Sequence, residues 1–215
     1  MNLSKLFELQ RQLDAHIEKE HPRQEGEDRL AKKILSLMVE LGELANEARF
    51  FKFWSNDQEP RTKVEVICST CDGSGDENWP SSREYLLEGQ TGLEYSKCED
   101  CNGTGTLGYK NPLLEEYVDC LHFILSIGNE FGYKAEYLYV WDEELEGETV
   151  DVFIELMYWV SQISSNDKFK RRAAFRTVCY IFFNLGERLG FTWDQVEQAY
   201  LEKNAVNHQR QESGY

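Results

Sequence analysis

Apolar side chains recur every three or four residues along most of the chain, the spacing of a helix with one buried face. In the first such stretch Leu3, Leu6 and Leu13 share a face, and His21 with the following proline marks its end. The pattern predicts helices over residues 3–19, about 28–54, 112–131, 149–164, 168–190 and from 193 onward. The predicted fold class is therefore all-α, a helical bundle.

Residues 56–110 interrupt this pattern with a polar, glycine-rich segment. Pro60 lies near its beginning and Pro112 just after its end. We interpret the segment as an insertion with its own small fold, placed between two core helices. The bundle itself is then made by residues 1–55 and 111–215, which we predict to form a single all-α catalytic domain. Pro112 suits the first position of the helix that follows the insertion.

The insertion contains two copies of the pattern C-x-x-C-x-G-x-G, with Cys68 and Cys71 in the first copy and Cys98 and Cys101 in the second. Each copy brings two thiolates together in a tight turn, and two copies complete a tetrahedral site of four cysteines for Zn²⁺. The long segment between the pairs is predicted to be a loop. Acidic side chains flank the pairs, so we expect a structural or protein-contact role and no binding of nucleic acid.

Composition and charge narrow the possible functions. Hydrophobic residues make up 41% and aromatic residues 13% of the chain, as in a folded protein. The formal net charge of −16 argues against a broad basic surface for nucleic acid, because phosphate neutralisation needs clustered Lys and Arg. No apolar run reaches the roughly 18 residues that would span a bilayer. We expect a soluble, cytoplasmic protein with no membrane partner.

The predicted helices at 149–164 and 168–190 are apolar around much of their circumference. Such helices need burial on more than one side. In a chain of this length, a partner subunit would cover the outer surface of the bundle, so we predict a homodimer.

Carboxylates form the main candidate for chemistry. Glu40, Glu43 and Glu47 lie within a sector of about 60° on the second helix, beside its apolar stripe. Glu116 and Asp119 repeat the E-x-x-[ED] spacing on the helix after the insertion. Two facing pairs of this kind would build a cage of four carboxylates for Mg²⁺ or Mn²⁺, with Glu47 at most an additional ligand or a base behind the ligands. The alternative is a pair of solvated helix faces.

The last helix carries a second candidate site. Tyr200, Lys203, Asn207 and Arg210 share one face and concentrate cations in an otherwise acidic protein. Such a face predicts a clamp for a polyphosphate. The alternative is an ordinary helix end, where basic residues are favoured by the helix dipole.

Four stretches in the order LQRQLD, VELGELANEARFFKFWS, LLEEYVDCLHFILS and KNAVNHQRQESGY resemble the dimeric all-α dUTPases, part of the MazG-like nucleotide pyrophosphatase superfamily. The resemblance implies an enzyme that hydrolyses dUTP, and also dUDP, to dUMP by attack of an activated water on the α-phosphate. It implies that Mg²⁺ is held by Glu40, Glu43, Glu116 and Asp119.

The resemblance also implies which residues contact the substrate. They are Gln10 and Trp54 at the uracil, Phe123 at the deoxyribose, and Lys203, Asn207 and Arg210 from the last helix. His122, in the motif D-x-x-H-F, either faces the nucleoside or is a satisfied histidine of a packed helix.

Asp14 departs from the family pattern, since many members have Asn at this position. Its carboxylate can accept a hydrogen bond from N3–H of uracil, but also from the exocyclic amine of cytosine. The resemblance therefore leaves open a pyrophosphatase for another nucleotide, such as dCTP. A non-catalytic adaptor with a zinc insertion is the alternative from a different class.

Overall fold

The computed structural model of the protein describes residues 2–138 and 145–214. It divides into two compact units, the first made of Met1–Pro60 and Leu113–Tyr215 and the second of Arg61–Pro112. About 60% of the chain is helical, and residues 2–138 and 145–214 contain one small sheet of two strands. The prediction of an all-α class is confirmed.

The elements follow one another along the chain in the order α1 (Leu3–Glu20), α2 (Arg29–Ala48), β1 (Val64–Ile67), α3 (Trp79–Leu87), β2 (Thr106–Lys110), α4 (Pro112–Glu130), a 3₁₀ helix (Ala135–Tyr137), α5 (Thr149–Gln162), α6 (Lys168–Arg188) and α7 (Trp193–Glu212). Within the described ranges, every helix lacks the length and the apolar character that a membrane crossing requires.

One continuous core holds the helices of the first unit together. Leu37, Leu41 and Leu44 of α2 have no exposed surface, and neither have Tyr117 and Leu121 of α4. Burial of such side chains contributes about 1.5–3 kcal/mol each. The core thus fixes the positions of α2 and α4, which carry the predicted metal ligands.

Helices α1 and α7 run in the same direction and stay in register. Near their first turns the Lys5 Nζ pairs with Glu197 Oε1 at 3.2 Å. Further along both helices the Tyr200 hydroxyl donates to Gln10 Oε1 at 2.9 Å. Residues of α7 are therefore held opposite defined residues of α1.

The predicted start of the last helix is confirmed. The Thr192 hydroxyl accepts from the Gln195 N–H, while the Gln195 side chain accepts from the Thr192 N–H at 2.9 Å. This reciprocal capping box satisfies two donors that the first turn leaves without helical partners. It fixes where α7 begins and hence which of its residues face α1.

The predicted second helix is too long, because α2 ends at Ala48 and not at Trp54. Arg49 takes a left-handed conformation with φ 64°, and its N–H closes the helix on the carbonyl of Ala45. The Arg49 guanidinium donates to the Asp57 carbonyl at 2.7 Å and pairs with the Asp57 carboxylate at 2.9 Å. These contacts stabilise a backbone conformation that is unfavourable for a residue with a Cβ.

The second unit contains the antiparallel pair β1 and β2 and the helix α3. The segment between the cysteine pairs is thus not the loop predicted from the sequence. Pro80 lies in the first turn of α3, where its missing N–H has no cost. Asp76 Oδ1 accepts from the N–H groups of Asn78 and Ser96, at 3.0 and 2.9 Å. These bonds join the beginning of the segment to its end.

Candidate active site and metal centre

Carboxylates of α2 and α4 meet in the first unit. One oxygen from each of Glu40, Glu43 and Glu116 lies within 4.8 Å of the other two. Glu40 and Glu116 are half-buried, whereas Glu43 is exposed. Several carboxylate oxygens at this spacing are the donor set that Mg²⁺ prefers. The residues present therefore fit a divalent cation.

The raised pKa values of two carboxylates in the cluster also favour a bound cation. Burial, followed by the nearby charges of Asp119 and Glu43, raises the pKa of Glu40 to about 7. Burial and the same two carboxylates raise the pKa of Glu116 to about 7. The cause is a low-dielectric site with too few cations of its own. A bound metal ion would supply the missing positive charge.

Asp119, the fourth predicted ligand, is engaged with a cation of the chain. The Lys203 Nζ donates to Asp119 Oδ2 at 2.5 Å and so joins α7 to α4. Burial raises the pKa of Asp119, and Lys203 opposes this rise. Asp119 therefore lies beside the group of three carboxylates and is not part of it. Glu47, half-buried and one turn beyond Glu43, is also outside that group.

A pocket of about 660 Å³ opens next to the carboxylates, between α1, α2, α4 and α7. Its volume is in the range of small-molecule sites. The predicted site residues that line it are Gln10, Asp14, Glu40, Asp119, His122, Phe123, Lys203, Asn207 and Arg210. Four helices that are distant in the sequence thus contribute to one site.

Hydrogen bonds fix the orientation of Gln10, which is only 3% exposed. Its Nε2 donates to Asp14 Oδ1 at 2.9 Å. Its Oε1 accepts from the Tyr200 hydroxyl at 2.9 Å and lies 2.7 Å from His122 Nδ1. Because a carboxylate only accepts, the amide nitrogen must face Asp14 and the oxygen must face His122. The Gln10 oxygen is therefore engaged within the protein.

Hydrogen bonds and an ion pair also fix the orientation of Asp14. The Ser126 hydroxyl lies 2.8 and 2.9 Å from its two oxygens. Lys33 adds a cation at 3.8 Å from Oδ2. Together with the amide of Gln10, these groups keep the Asp14 carboxylate in one orientation at the pocket wall. It is a hydrogen-bond acceptor there.

The same network determines the protonation of His122. Since Gln10 Oε1 is an acceptor, Nδ1 of His122 carries the proton and Nε2 has a free lone pair. Nε2 is buried without a hydrogen-bond partner. Burial, followed by the charge of Lys203, lowers the pKa of His122 to about 3, so the ring is neutral. His122 therefore offers a second acceptor to a ligand in the pocket.

Trp54 does not line the pocket, unlike the other residues that the resemblance places at the substrate. It is 65% exposed and makes edge-to-face contacts with Phe51 and Phe53, with ring centroids 5.8 and 5.0 Å apart. The prediction assumed that the second helix continues to Trp54. Because α2 ends at Ala48, helical periodicity does not place Trp54 on the face of the carboxylates.

Basic residues of the pocket were missed in the sequence. Lys33 Nζ lies 3.2 Å from Glu130 Oε2, and both residues line the pocket. A signal existed for Lys33, because it precedes Glu40 by two helical turns and shares its face. Arg23 pairs with Glu130 at 2.6 Å from the connection between α1 and α2, and no local pattern indicates this contact.

The predicted zinc ligands come together in the second unit. All four are buried, and their sulfur atoms lie within 4.8 Å of one another: Cys68, Cys71, Cys98 and Cys101. The Cys68 and Cys98 sulfurs are 3.8 Å apart, and those of Cys71 and Cys101 are 3.7 Å apart. A tetrahedral ion with Zn–S bonds of about 2.3 Å requires sulfur separations of about 3.8 Å. The four thiols can therefore hold a tetrahedral metal ion.

The two copies of the cysteine motif have matching geometry. The Gly75 N–H donates to the Cys71 sulfur and the Gly105 N–H donates to the Cys101 sulfur, both at 3.2 Å. A Cβ on Gly75 would lie 2.3 Å from the Gly103 carbonyl oxygen, so only glycine fits. N–H donors favour the thiolate form of a sulfur, which is the form that binds metal.

Comparison with known proteins places the chain in a family. A family model described as dUTPase matches residues 2–72 and 106–215. The match includes the helices that form the pocket and leaves out Cys98, Cys101 and α3 of the second unit. A search of curated proteins found no match. Because the matched ranges cover most of the sequence, the chain belongs to the family of all-α dimeric dUTPases.

Proposed function

We propose that the protein is a Mg²⁺-dependent dUTP pyrophosphatase that converts dUTP to dUMP and pyrophosphate. The observation that carries the proposal is the meeting of Glu40, Glu43 and Glu116 beside a pocket that also contains Lys203 and Arg210. Carboxylates and cations around one pocket suit a metal-bound polyphosphate. Membership of the dUTPase family supports dUTP as the substrate.

Glu40, Glu43 and Glu116 would hold the metal, and Asp119 would join them on release from Lys203. When bound, Mg²⁺ neutralises phosphate charge and makes a water molecule more acidic. A carboxylate oxygen of the cluster that the metal leaves uncoordinated suits the role of general base. It would take a proton from water as the water oxygen attacks the α-phosphorus and pyrophosphate leaves.

Lys203, Asn207 and Arg210 would bind the phosphates from α7. Attack at the α-phosphorus needs no γ-phosphate, so dUDP is proposed as a second substrate.

The acceptors Asp14 and His122 favour a base that presents an N–H donor. Uracil has this donor at N3. Cytosine has a bare nitrogen there but presents its exocyclic amine, so the preference for uracil is proposed from the family match and not from these acceptors. Gln10 is proposed to orient these two residues, and Phe123 to pack against the deoxyribose. Trp54 is proposed to reach the base only if the segment after α2 changes conformation.

Replacement of Glu43 or Asp119 by Ala tests the proposed catalytic carboxylates. We expect each variant to lose about two to three orders of magnitude in kcat/KM for dUTP, because charge stabilisation at the reacting phosphate is removed. The measurement is pyrophosphate release with Mg²⁺ present, over a panel of dUTP, dUDP, dCTP and dTTP. Glu115→Ala is the matched control, because Glu115 is an exposed carboxylate on the same helix as Asp119.

Near-wild-type rates in either variant would remove that residue from the proposed mechanism. A wild-type preference for dCTP over dUTP would replace the proposed substrate and leave the reaction class intact.

The stability of the metal-free protein should depend on pH through the same cluster. Glu40 and Glu116 bind protons in the folded state up to about pH 7, but in the unfolded chain only up to the ordinary value of about 4.5. Their contribution to stability is therefore present at low pH and falls as the pH rises through this window. Mg²⁺ should restore stability above about pH 7 and have little effect near pH 5.

Thermal unfolding across this range, in buffer without Mg²⁺ and in buffer with Mg²⁺ but with no chelator in either, measures both effects and leaves the proposed zinc in place. In Glu116→Gln, which cannot ionise at position 116, the pH dependence should be weaker than in wild type. A Mg²⁺-induced rise in Tm that is equal at both ends of the range would contradict the assignment.

We propose that the second unit is a structural zinc module. The sulfur separations and the N–H donors of Gly75 and Gly105 support this proposal. No disulfide joins any of the six cysteines, all of which lie in the described residues, and this is consistent with the proposed cytoplasmic location. We expect about one zinc per chain, lost in Cys68→Ser and retained in Cys179→Ala, whose thiol is buried in the bundle. Metal analysis of protein purified without chelator is the measurement, and absence of zinc would refute the proposal.

We also propose that the bundle forms a homodimer. Val150, Ile154 and Tyr158 follow one another along a face of α5 and are 37%, 62% and 56% exposed. An apolar stripe of this kind is typical of a surface that a second subunit covers. Light scattering should give twice the chain mass of 25.2 kDa. Ile154→Glu should shift the protein toward the monomer, while Glu155→Gln should not. A monomeric wild-type protein would contradict the proposal.

A further inference from the structure

We propose that His16 and His208 are positioning residues that share one proton and hold the end of α7 against α1. Their Nδ1 atoms lie 2.8 Å apart, which is hydrogen-bond distance. Neither histidine lines the pocket. The proposed consequence is a nucleotide affinity that falls when both rings become protonated, and this part rests on the proposed function.

The geometry is that of a direct N–H···N bond. The ring centroids are 5.1 Å apart and the ring planes differ by 26°. With the Nδ1 atoms only 2.8 Å apart, the rings approach each other through these nitrogens. Such a bond requires a proton on one Nδ1 and a lone pair on the other. The pair is therefore compatible with one shared proton and not with two.

The position of the pair explains its proposed effect. It is the third contact along the parallel helices α1 and α7, after Lys5 with Glu197 and Gln10 with Tyr200. Of the three, it is the contact nearest to Asn207 and Arg210, which line the pocket. The side chains proposed to bind phosphate in the last turns of α7 thus depend on this bond for their distance from α1.

Charged groups on both helices surround the pair. On α1 these are Lys19 and Glu20, which form an ion pair at 2.7 Å, and the electrostatic field at Glu20 includes His16. On α7, Glu212 follows His208 by four residues and shares its face, whereas Arg210 follows by two and lies on the other side of the helix. A second proton on the pair would abolish the bond by making both Nδ1 atoms donors.

The direction of the pH effect follows from the bond itself. It needs a lone pair on one Nδ1, and that lone pair is lost when both rings are protonated. The contact therefore contributes to stability at higher pH and is lost in acid. This sign is opposite to that of the carboxylate cluster, so variants must separate the two.

Nuclear magnetic resonance of protein labelled with ¹⁵N at histidine tests the bond without any nucleotide. We expect a nitrogen–nitrogen coupling across the shared proton at about pH 8 and its loss at about pH 5, on either side of the imidazole range. His21→Gln, which removes an imidazole outside the pair, should retain the coupling. Its absence at the higher pH in folded wild-type protein would overturn the proposal.

Calorimetric titration with the α,β-imido analogue of dUTP, in the presence of Mg²⁺, tests the positioning role. At about pH 8 we expect His208→Ala to bind about three- to tenfold more weakly than wild type, the equivalent of one lost hydrogen bond. His208→Asn should recover most of the affinity, since its amide can still bond the His16 ring. The difference between wild type and His208→Ala should shrink toward pH 5.

Equal affinities of wild type and His208→Ala at both pH values would overturn the positioning role even if the coupling is present. If wild type fails to bind the analogue, the proposed function is wrong. The bond is then tested by thermal unfolding, where the Tm difference between wild type and His208→Ala must shrink as the pH falls. A constant difference would overturn the pair as a proton-sensitive contact.

Discussion

Repulsion among the carboxylates of α2 and α4 is the unfavourable interaction that the rest of the bundle must overcome. Glu40, Glu43 and Glu116 bring oxygens within 4.8 Å of one another, although like charges at such distances disfavour the folded state. Nothing in the cluster itself holds the three together. The fully buried leucines of α2 and the buried Tyr117 of α4 do so, by fixing the two helices next to each other. Core packing thus maintains an arrangement that electrostatics opposes.

This opposition is useful chemically. A carboxylate whose pKa is raised to about 7 in the metal-free protein gains more from a bound cation than an ordinary glutamate does. Lys203 donates a hydrogen bond to one of the acids, Asp119. In the described ranges, the hydrogen bonds show no Lys or Arg bonded to the other three. The cations of α7 line the same pocket, in a protein whose net charge is −16.

The two units bring their site residues together in different ways. The bundle brings together residues that are far apart in the chain, such as Gln10 with His122 and Lys203 with Asp119. The Cys-rich unit depends on two short copies of one motif, in which Gly75 and Gly105 donate to the sulfurs of Cys71 and Cys101 in the same way. Local spacing alone was enough to predict the second arrangement. The first needed the packing of four helices.

The sequence by itself determined the helices of the first unit, the faces on which their polar residues lie, and the four cysteines that converge, but not α3, which lies where a loop was predicted. These features depend on the period of the helix and on tight turns, which act within a few residues. It did not determine that α2 ends at Ala48, because the left-handed Arg49 is stabilised by a contact with Asp57 that no helical period encodes. Nor did it determine the tautomer of His122 or the contact between His16 and His208. Those depend on which atoms of different helices come within hydrogen-bond distance, and only the tertiary structure decides this.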